Sequence, residues 1–353
     1  MAEIDNLLKL MFDRGASDLH CTVGQKPKFS LRGEVVELDE FDVFDKESLG
    51  RSMFEIISDE QREYFLENWD FDFAYEMKGM ARFRTNYYIQ QTGYGAVFRL
   101  IPSKVMTLEQ LKMPSVLNKL SELRHGLVLV TGPTGSGKTT TLAAMVDHIN
   151  ENQRRRIVTI EDPVEYVHQN KMSIISHREV GQHTQSFDNA LRGVTRQDAD
   201  VVLVGELRDL ETMSLAISAA AMGTLVFGTL HTNSAGKTID RIVDMYPSDQ
   251  QQQVRTMLAE SLKGIVAQQL LRTKDDKGLI AAAEILVGGH AVANIIRDGR
   301  IDRITSIMQS GGAEGMQLMD DALERLVDQQ VINGNVAYMK STDKKRFEKY
   351  ENE

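Results

Sequence analysis

Residues 132–140 read Gly132-Pro133-Thr134-Gly135-Ser136-Gly137-Lys138-Thr139-Thr140. The first eight fit the spacing G-x-x-x-x-G-K-[ST], which suits phosphate binding for a physical reason. Glycines let backbone N–H groups converge on an anion, a lysine reaches the β- and γ-phosphates, and a hydroxyl ligates Mg²⁺. An apolar strand pattern at 127–131 precedes the loop and TTTLAAMVDHI opens a helix after it, so the phosphates would meet a helix N-terminus. A Gly-rich turn with a solvated lysine is the competing explanation, and it leaves that strand, loop and helix context unaccounted for. Residues 132–140 are therefore candidate contacts for ATP, with Thr139 a candidate ligand of Mg²⁺.

Hydrolysis also needs acids that hold Mg²⁺ and orient a water in line with the γ-phosphate. Glu206 follows the apolar run 201–204 within Gly205-Glu206-Leu207-Arg208-Asp209, and Glu161 follows 157–160 within Glu161-Asp162-Pro163-Val164-Glu165. Both would stand at the C-terminal ends of buried parallel strands, where ligands bind in such sheets. Each could instead be a helix cap or a surface acid, and the residues alone do not decide which acid activates water and which positions Mg²⁺. His231 follows a third run, LVFGTL, and would reach the same edge, able to sense a γ-phosphate or organise water. The other histidines, including His168, His177 and His183, lack the spacing of a metal site.

Something must position these groups. From residue 126 onward apolar strands alternate with helices, which describes a parallel sheet wrapped by helices. Downstream, 248–271 reads as one long amphipathic helix, LIAAAEIL as a strand, and 291–297, 301–309 and 316–331 as helices, followed by a solvated tail, TDKKRFEKYENE. Ahead of this, helices are expected at 4–14, 46–57 and 59–68, and strands in FSLRGEVVEL, DFDFAYEM, ARFRTNYYIQ and YGAVFRLI. That composes an α+β domain with an antiparallel sheet. The expected partition is a domain at 1–100, a linker at 101–113 and a larger α/β domain at 114–353, with short helical pieces broken at Pro114.

Composition narrows the class. The chain has 353 residues, a 42% hydrophobic content and a net charge of −10, so it can bury real cores and lacks the basic excess of a nucleic-acid binder. With Cys21 as the one cysteine, neither a disulfide framework nor a cysteine-based zinc site is available. The opening MAEIDNLLKL has no basic segment followed by an apolar core, and a cytoplasmic location is expected. The uncharged stretch 212–230 approaches membrane-spanning length, but its Thr, Ser and Gly residues fit a buried helix, a turn and a core strand.

Taken together, GPTGSGKTTTLAAM, TIEDPVEY, VVLVGELRDLET and GTLHTNSAGKTIDRI resemble, in order, the Walker A, Asp box, Walker B and His box of the secretion ATPase superfamily. Within it, SDLH, RFRTNYYIQ, AVFRLIPSKV, AVANIIRD and EGMQLMDDAL are similar to PilT-type ATPases, the retraction motors of type IV pili. The resemblance covers nearly the whole chain. It implies a PAS-like N-terminal domain, a RecA-like P-loop ATPase domain with a helical C-terminal region, and a homo-hexameric ring that hydrolyses ATP with Mg²⁺. It further implies an inner-membrane platform protein as partner, with no span of its own, and pilus depolymerisation and twitching motility as output. By motif, Lys138 and Thr139 bind phosphate and Mg²⁺, Glu161 and Asp162 belong to the Asp box, Glu206 is the Walker B acid and His231 the His-box histidine. Arginines in the N-terminal strands complete the site in this family, and here the candidates are Arg82, Arg84 and Arg99. Assembly motors of the superfamily usually carry a further N-terminal domain and a Cys-rich zinc insertion, for which this chain has neither the length nor the cysteines.

Three departures stand out. Thr224 replaces the first histidine of the His box, LRGVTRQDAD replaces a Leu-acid-Pro pattern before Walker B, and AVANIIRD only partly matches AIRNLIRE. Alternatives are a PilU-like accessory paralogue, a P-loop small-molecule kinase, a nucleotide-gated binding protein and a nucleic-acid translocase. The two acidic boxes and the N-terminal domain fit the kinase poorly, the acids disfavour a protein without turnover, and the net acidity disfavours the translocase.

Overall fold

A computed structural model describes residues 2–31, 34–102 and 104–351. Arg32 and Gly33 of the expected strand FSLRGEVVEL, Ser103 of the expected linker and the last two residues of the expected tail lie outside the described residues. The chain forms two compact units, Met1–Lys104 with Asp162–Val167, and Val105–Glu161 with His168–Glu353.

In the first unit, α1 (Glu3–Asp13) places Ile4, Leu7, Leu8 and Met11 at helical spacing on one buried stripe. Asp45 and Ser58 cap α2 (Lys46–Phe54) and α3 (Asp59–Asn68) by accepting the backbone N–H of Ser48 and Gln61. The strands are β1 (Asp18–Thr22), β2 (Lys28–Leu31), β3 (Glu34–Glu37), β4 (Asp70–Met77), β5 (Ala81–Gln90) and β6 (Gly93–Ile101). They form an antiparallel sheet in the order β3-β2-β1-β6-β5-β4. Along β5, Ala81, Phe83, Thr85 and Tyr87 are buried while Arg82, Arg84 and Asn86 take the opposite face. The buried face joins Phe29, Phe65, Phe73 and Phe98 in one core, and the Tyr87 hydroxyl donates to the Met53 carbonyl at 2.9 Å.

The second unit begins with α4 (Val116–Ser121), after a segment in which Leu108 and Met113 are already buried against the core. Its strands are β7 (Gly126–Thr131), β8 (Arg156–Glu161), β9 (Ile174–Glu179), β10 (Val201–Val204), β11 (Leu225–Leu230), β12 (Leu262–Arg272) and β13 (Leu279–Val287). In the sheet order β13-β12-β7-β11-β10-β8-β9, all neighbours are parallel except the antiparallel edge pair β12 and β13. β7, β10 and β11 are buried at every position, as continuous apolar runs covered on both faces require. α4 and α5 (Lys138–Asn152) cover one face. α6 (Phe187–Val194), α7 (Leu210–Ala221), α8 (Ala235–Asp244), α9 (Gln251–Ser261), α10 (His290–Arg297) and α11 (Ile304–Ser310) supply the other core. α12 (Met319–Asp328) and α13 (Gly334–Lys340) pack with β12 and β13 in a satellite core. The uncharged stretch 212–230 is the body of α7, a turn at Gly223 and β11, and among the described residues no helix is long and apolar enough to cross a membrane.

Two sequence expectations are corrected. The long helix expected at 248–271 ends at Ser261, and Leu262–Arg272 is a strand between β7 and β13. Gly264 lies where α4 packs closely on this strand, since a Cβ there would stand 2.9 Å from Leu120 Cδ1. The described part of the tail is anchored rather than free in solvent: Lys344–Tyr350 forms a 3₁₀ helix whose Phe347, 1% exposed, enters the satellite core with Leu271, Met319 and Leu323. Arg346 pairs with Asp321 and Glu324 of α12 beside it.

Candidate active site

The C-terminal edge of the second sheet is built by local rules. β7 ends at Thr131 and the chain turns through Gly132, Gly135 and Gly137, at φ of +145°, +76° and +85°, before α5 starts at Lys138. Gly132 has a second reason to be glycine, since a Cβ would stand 2.3 Å from the Gln268 carbonyl oxygen of β12. Lys138 Nζ donates to the carbonyls of Gly132 at 2.9 Å and Pro133 at 3.2 Å, which places the ammonium over its own loop. Pro133, Thr134 and Gly135 are exposed, and Thr139 and Thr140 are half-buried in the first turn of α5. Ser136 Oγ is buried with no hydrogen-bond partner among the described residues. Such a loop fits a polyphosphate: it offers a left-handed glycine backbone, an ammonium, a polar group without a partner and a helix N-terminus.

Beside it, the turn after β10 is fastened to both neighbouring strands. Gly205 N–H donates to the Ile160 carbonyl at 2.8 Å, Leu207 N–H to the Thr229 carbonyl at 3.1 Å, and the Thr229 hydroxyl to the Gly205 carbonyl at 2.5 Å. Glu206 therefore has a fixed backbone. Its Oε1 is 3.0 Å from His231 Nε2, past the end of β11, and its Oε2 is 2.8 Å from Arg208 Nη2. Glu161 closes β8, buried, in register with the buried Glu179 of β9. A Cβ on Gly205 would lie 3.4 Å from Glu161 Cα, so the two acidic turns abut. The phosphate loop, Glu161, Glu206 and His231 thus share one sheet edge, as their strand-end positions predict.

Thr224 lies elsewhere. It precedes β11, with its carbonyl accepting the Gly126 N–H at 3.0 Å where β7 begins. Six residues of strand separate it from His231, about 20 Å at roughly 3.3 Å per residue. The departure from the His box therefore falls at the opposite edge of this sheet.

Asp162, Arg82, Arg84 and Arg99 belong to the first unit. Arg82 and Arg84 alternate on β5, and Arg99 on β6 is the register partner of Arg84, so the three share one sheet face. Arg84 Nη1 is 3.2 Å from Glu165 Oε1, and Arg99 Nε is 2.8 Å from Asp18 Oδ1. Ion pairing, the alternative role for strand arginines, is realised at both.

Sequence reasoning missed four residues at the edge of the second sheet: Arg208, Glu179, Thr229 and Gln268. Arg208 had a signal, two positions after Glu206. Glu179 closes a short strand, IISHRE, too polar to read as sheet. Thr229 and Gln268 act on backbone far away in the chain, which only the folded sheet reveals.

Residues 73–345 match the family described as Type II/IV secretion system protein. A twitching motility protein of Neisseria gonorrhoeae is 52% identical over 81% of this chain and 76% of its own length. The type IV pilus retraction ATPase PilT of Pseudomonas aeruginosa is 45% identical over 98% of this chain and 100% of its own. Among solved structures, that of the pilus retraction motor PilT with bound ADP has a TM-score of 0.90 at 40% identity, covering 99% of both chains. With the phosphate loop and its acids in place, these likenesses carry one conclusion: the chain belongs to the Type II/IV secretion system protein family and, within it, to the PilT-type pilus retraction ATPases.

Proposed function

We propose that the chain is a mechanochemical ATPase that powers retraction of type IV pili, by pilin depolymerisation, as a ring of six copies. The observation that carries the reading is the joint placement of the phosphate loop and the Glu206 and His231 pair at one edge of one sheet. Residues 132–140 hold the nucleotide phosphates through loop N–H groups and Lys138, and Thr139, Glu206 and Asp162 are the proposed holders of Mg²⁺. When bound, that ion neutralises charge on the β- and γ-phosphates. Glu206, held by His231 and Arg208, orients the attacking water, with Glu161 the second candidate for that task. Arg82, Arg84 and Arg99 are proposed, on the family resemblance, as the cations that meet phosphoryl charge.

In the same reading, residues 1–100 form a PAS-like domain, 101–113 a linker and 114–353 a RecA-like ATPase domain with C-terminal helices. The one-sided antiparallel sheet and the parallel sheet with its phosphate loop support this assignment. The ring works in the cytoplasm, attached peripherally to the inner membrane through a platform protein, with a paralogous pilus ATPase as a further partner. Nucleic acid is not a partner, in keeping with the net charge of −10.

The test pairs Mg²⁺-dependent ATP turnover and solution mass with complementation of a retraction-deficient strain by this protein alone. A turning-over six-copy species that restores retraction is expected. Turnover with retraction only when a second pilus ATPase is present would assign the accessory role instead.

A further inference from the structure

Gln268 lies in β12, 1% exposed, and both ends of its amide are used. Its Nε2 donates to the Ser136 carbonyl at 2.5 Å, and its Oε1 accepts the hydroxyl of Thr141, itself 2% exposed, at 3.0 Å. The amide's orientation is fixed by chemistry. A carbonyl can only accept, so nitrogen must face Ser136, which leaves oxygen for the threonine hydroxyl. Thr141 stands one turn into α5 and Ser136 in the loop before it, so one side chain ties the phosphate loop to its own helix. The approach is close: a Cβ on Gly137 would stand 3.2 Å from Gln268 Nε2.

The consequence follows from the planarity of the peptide between Ser136 and Gly137. In a trans peptide the carbonyl and the next N–H point in opposite directions. With the Ser136 carbonyl turned to Gln268, the Gly137 N–H is turned to the opposite side of the loop. Gly137 sits at φ +85°, where a glycine backbone has conformational freedom to spend, so without a fastening this peptide could rotate. A donor set in place before the ligand arrives binds an anion more tightly than one that must be ordered on binding.

We infer that Gln268 is a positioning residue of the nucleotide site: its amide sets the Ser136–Gly137 peptide so that the Gly137 N–H is presented to a nucleotide phosphate. The inference rests on the phosphate loop binding nucleotide, as proposed above. It also gives the β12–β13 hairpin a direct hold on the site.

The experiment measures ADP affinity, with and without Mg²⁺, for the full-length parent, Gln268→Met, Gln268→Glu and Thr141→Val, with melting temperatures taken in the absence of nucleotide. Methionine keeps the length and loses both polar ends. Glutamate keeps the acceptor for Thr141 and turns an oxygen toward the Ser136 carbonyl. Both are expected to weaken ADP about tenfold, with or without Mg²⁺, Glu at least as much as Met. Thr141→Val, which frees one end of the amide, is expected to weaken it a few-fold and serves if a Gln268 variant fails to fold. In turnover assays KM for ATP should rise more than kcat falls. Parental ADP affinity in the folded variants, even with a lowered melting temperature, would reduce Gln268 to a packing residue and overturn the inference. A parent that binds no ADP would overturn the nucleotide reading, and the inference would fall with it.

Discussion

His231 Nε2 lies 3.0 Å from Glu206 Oε1, and Arg208 grips the other oxygen of the same carboxylate at 2.8 Å. The histidine side chain is 50% exposed and the glutamate 21%, so the pair stabilises the fold by about 1 kcal/mol at most. Its value lies in aim: two partners fix where the carboxylate points at the edge that holds the phosphate loop. His231→Ala should therefore lower kcat roughly ten- to a hundred-fold while leaving the melting temperature within a degree or two of the parent. Stopped turnover with an equally large loss of stability would mark His231 as structural.

Thr224 tests the same geometry from the other side. Because it precedes β11 at the edge where β7 begins, restoring the family histidine there should not alter chemistry at Glu206 within the chain. Thr224→His should hydrolyse ATP within about twofold of the parent at enzyme concentrations where both have the same mass. A tenfold change at equal mass would show that the far end of the strand controls the site.

Phe347 carries the C-terminal segment. Its ring is 1% exposed among Leu271, Met319 and Leu323, and Phe347→Ala should cost about 3–5 kcal/mol where that satellite core unfolds cooperatively with the rest. Urea unfolding of the variant checks this, and an unchanged midpoint would return the segment to the status of a solvated tail.

Glu284 supplies a pH signature. On β13 it accepts the Ala235 N–H at 2.7 Å, at the start of α8, and burial pushes its carboxyl above the ordinary value of 4.5, against the backbone N–H groups of Ala235 and Met319 that favour the charged form. A raised folded-state pKa means that the folded chain holds a proton the unfolded chain has released. The stabilising contribution is therefore complete below about pH 4.5 and is lost as pH rises through the folded value. Glu284→Gln does not titrate, so the stability of the parent relative to this variant should fall as pH rises above about 4.5. Parallel stability curves over that range would contradict the assignment.

The features legible in the sequence are those written locally. The phosphate loop, the acids after 157–160 and 201–204 and the histidine after LVFGTL are all punctuation at the ends of continuous apolar runs, and such runs fix both strand and edge. β12 was obscured because LKGIVAQQLL is apolar without a clear period, so it extends the helix before it until β7 and β13 are present to pair with it. β1 is short and carries Asp and His, β9 mixes His and Arg into its alternation, α8 and α13 lack a periodic signal long enough to stand out, and Phe347 sits among charges. Gln268 reaches residues more than 120 positions earlier, and no local pattern encodes that.

The central claim is that Glu206 drives hydrolysis at a phosphate loop whose lysine secures the nucleotide. The most direct measurement is Mg²⁺-dependent ATP turnover alongside ATP affinity for the parent, Lys138→Ala and Glu206→Gln. Lys138→Ala should lose nucleotide binding and turnover together, whereas Glu206→Gln should bind ATP with near-parental affinity and hydrolyse it at least about a hundredfold more slowly. Parental turnover by Glu206→Gln would contradict the account.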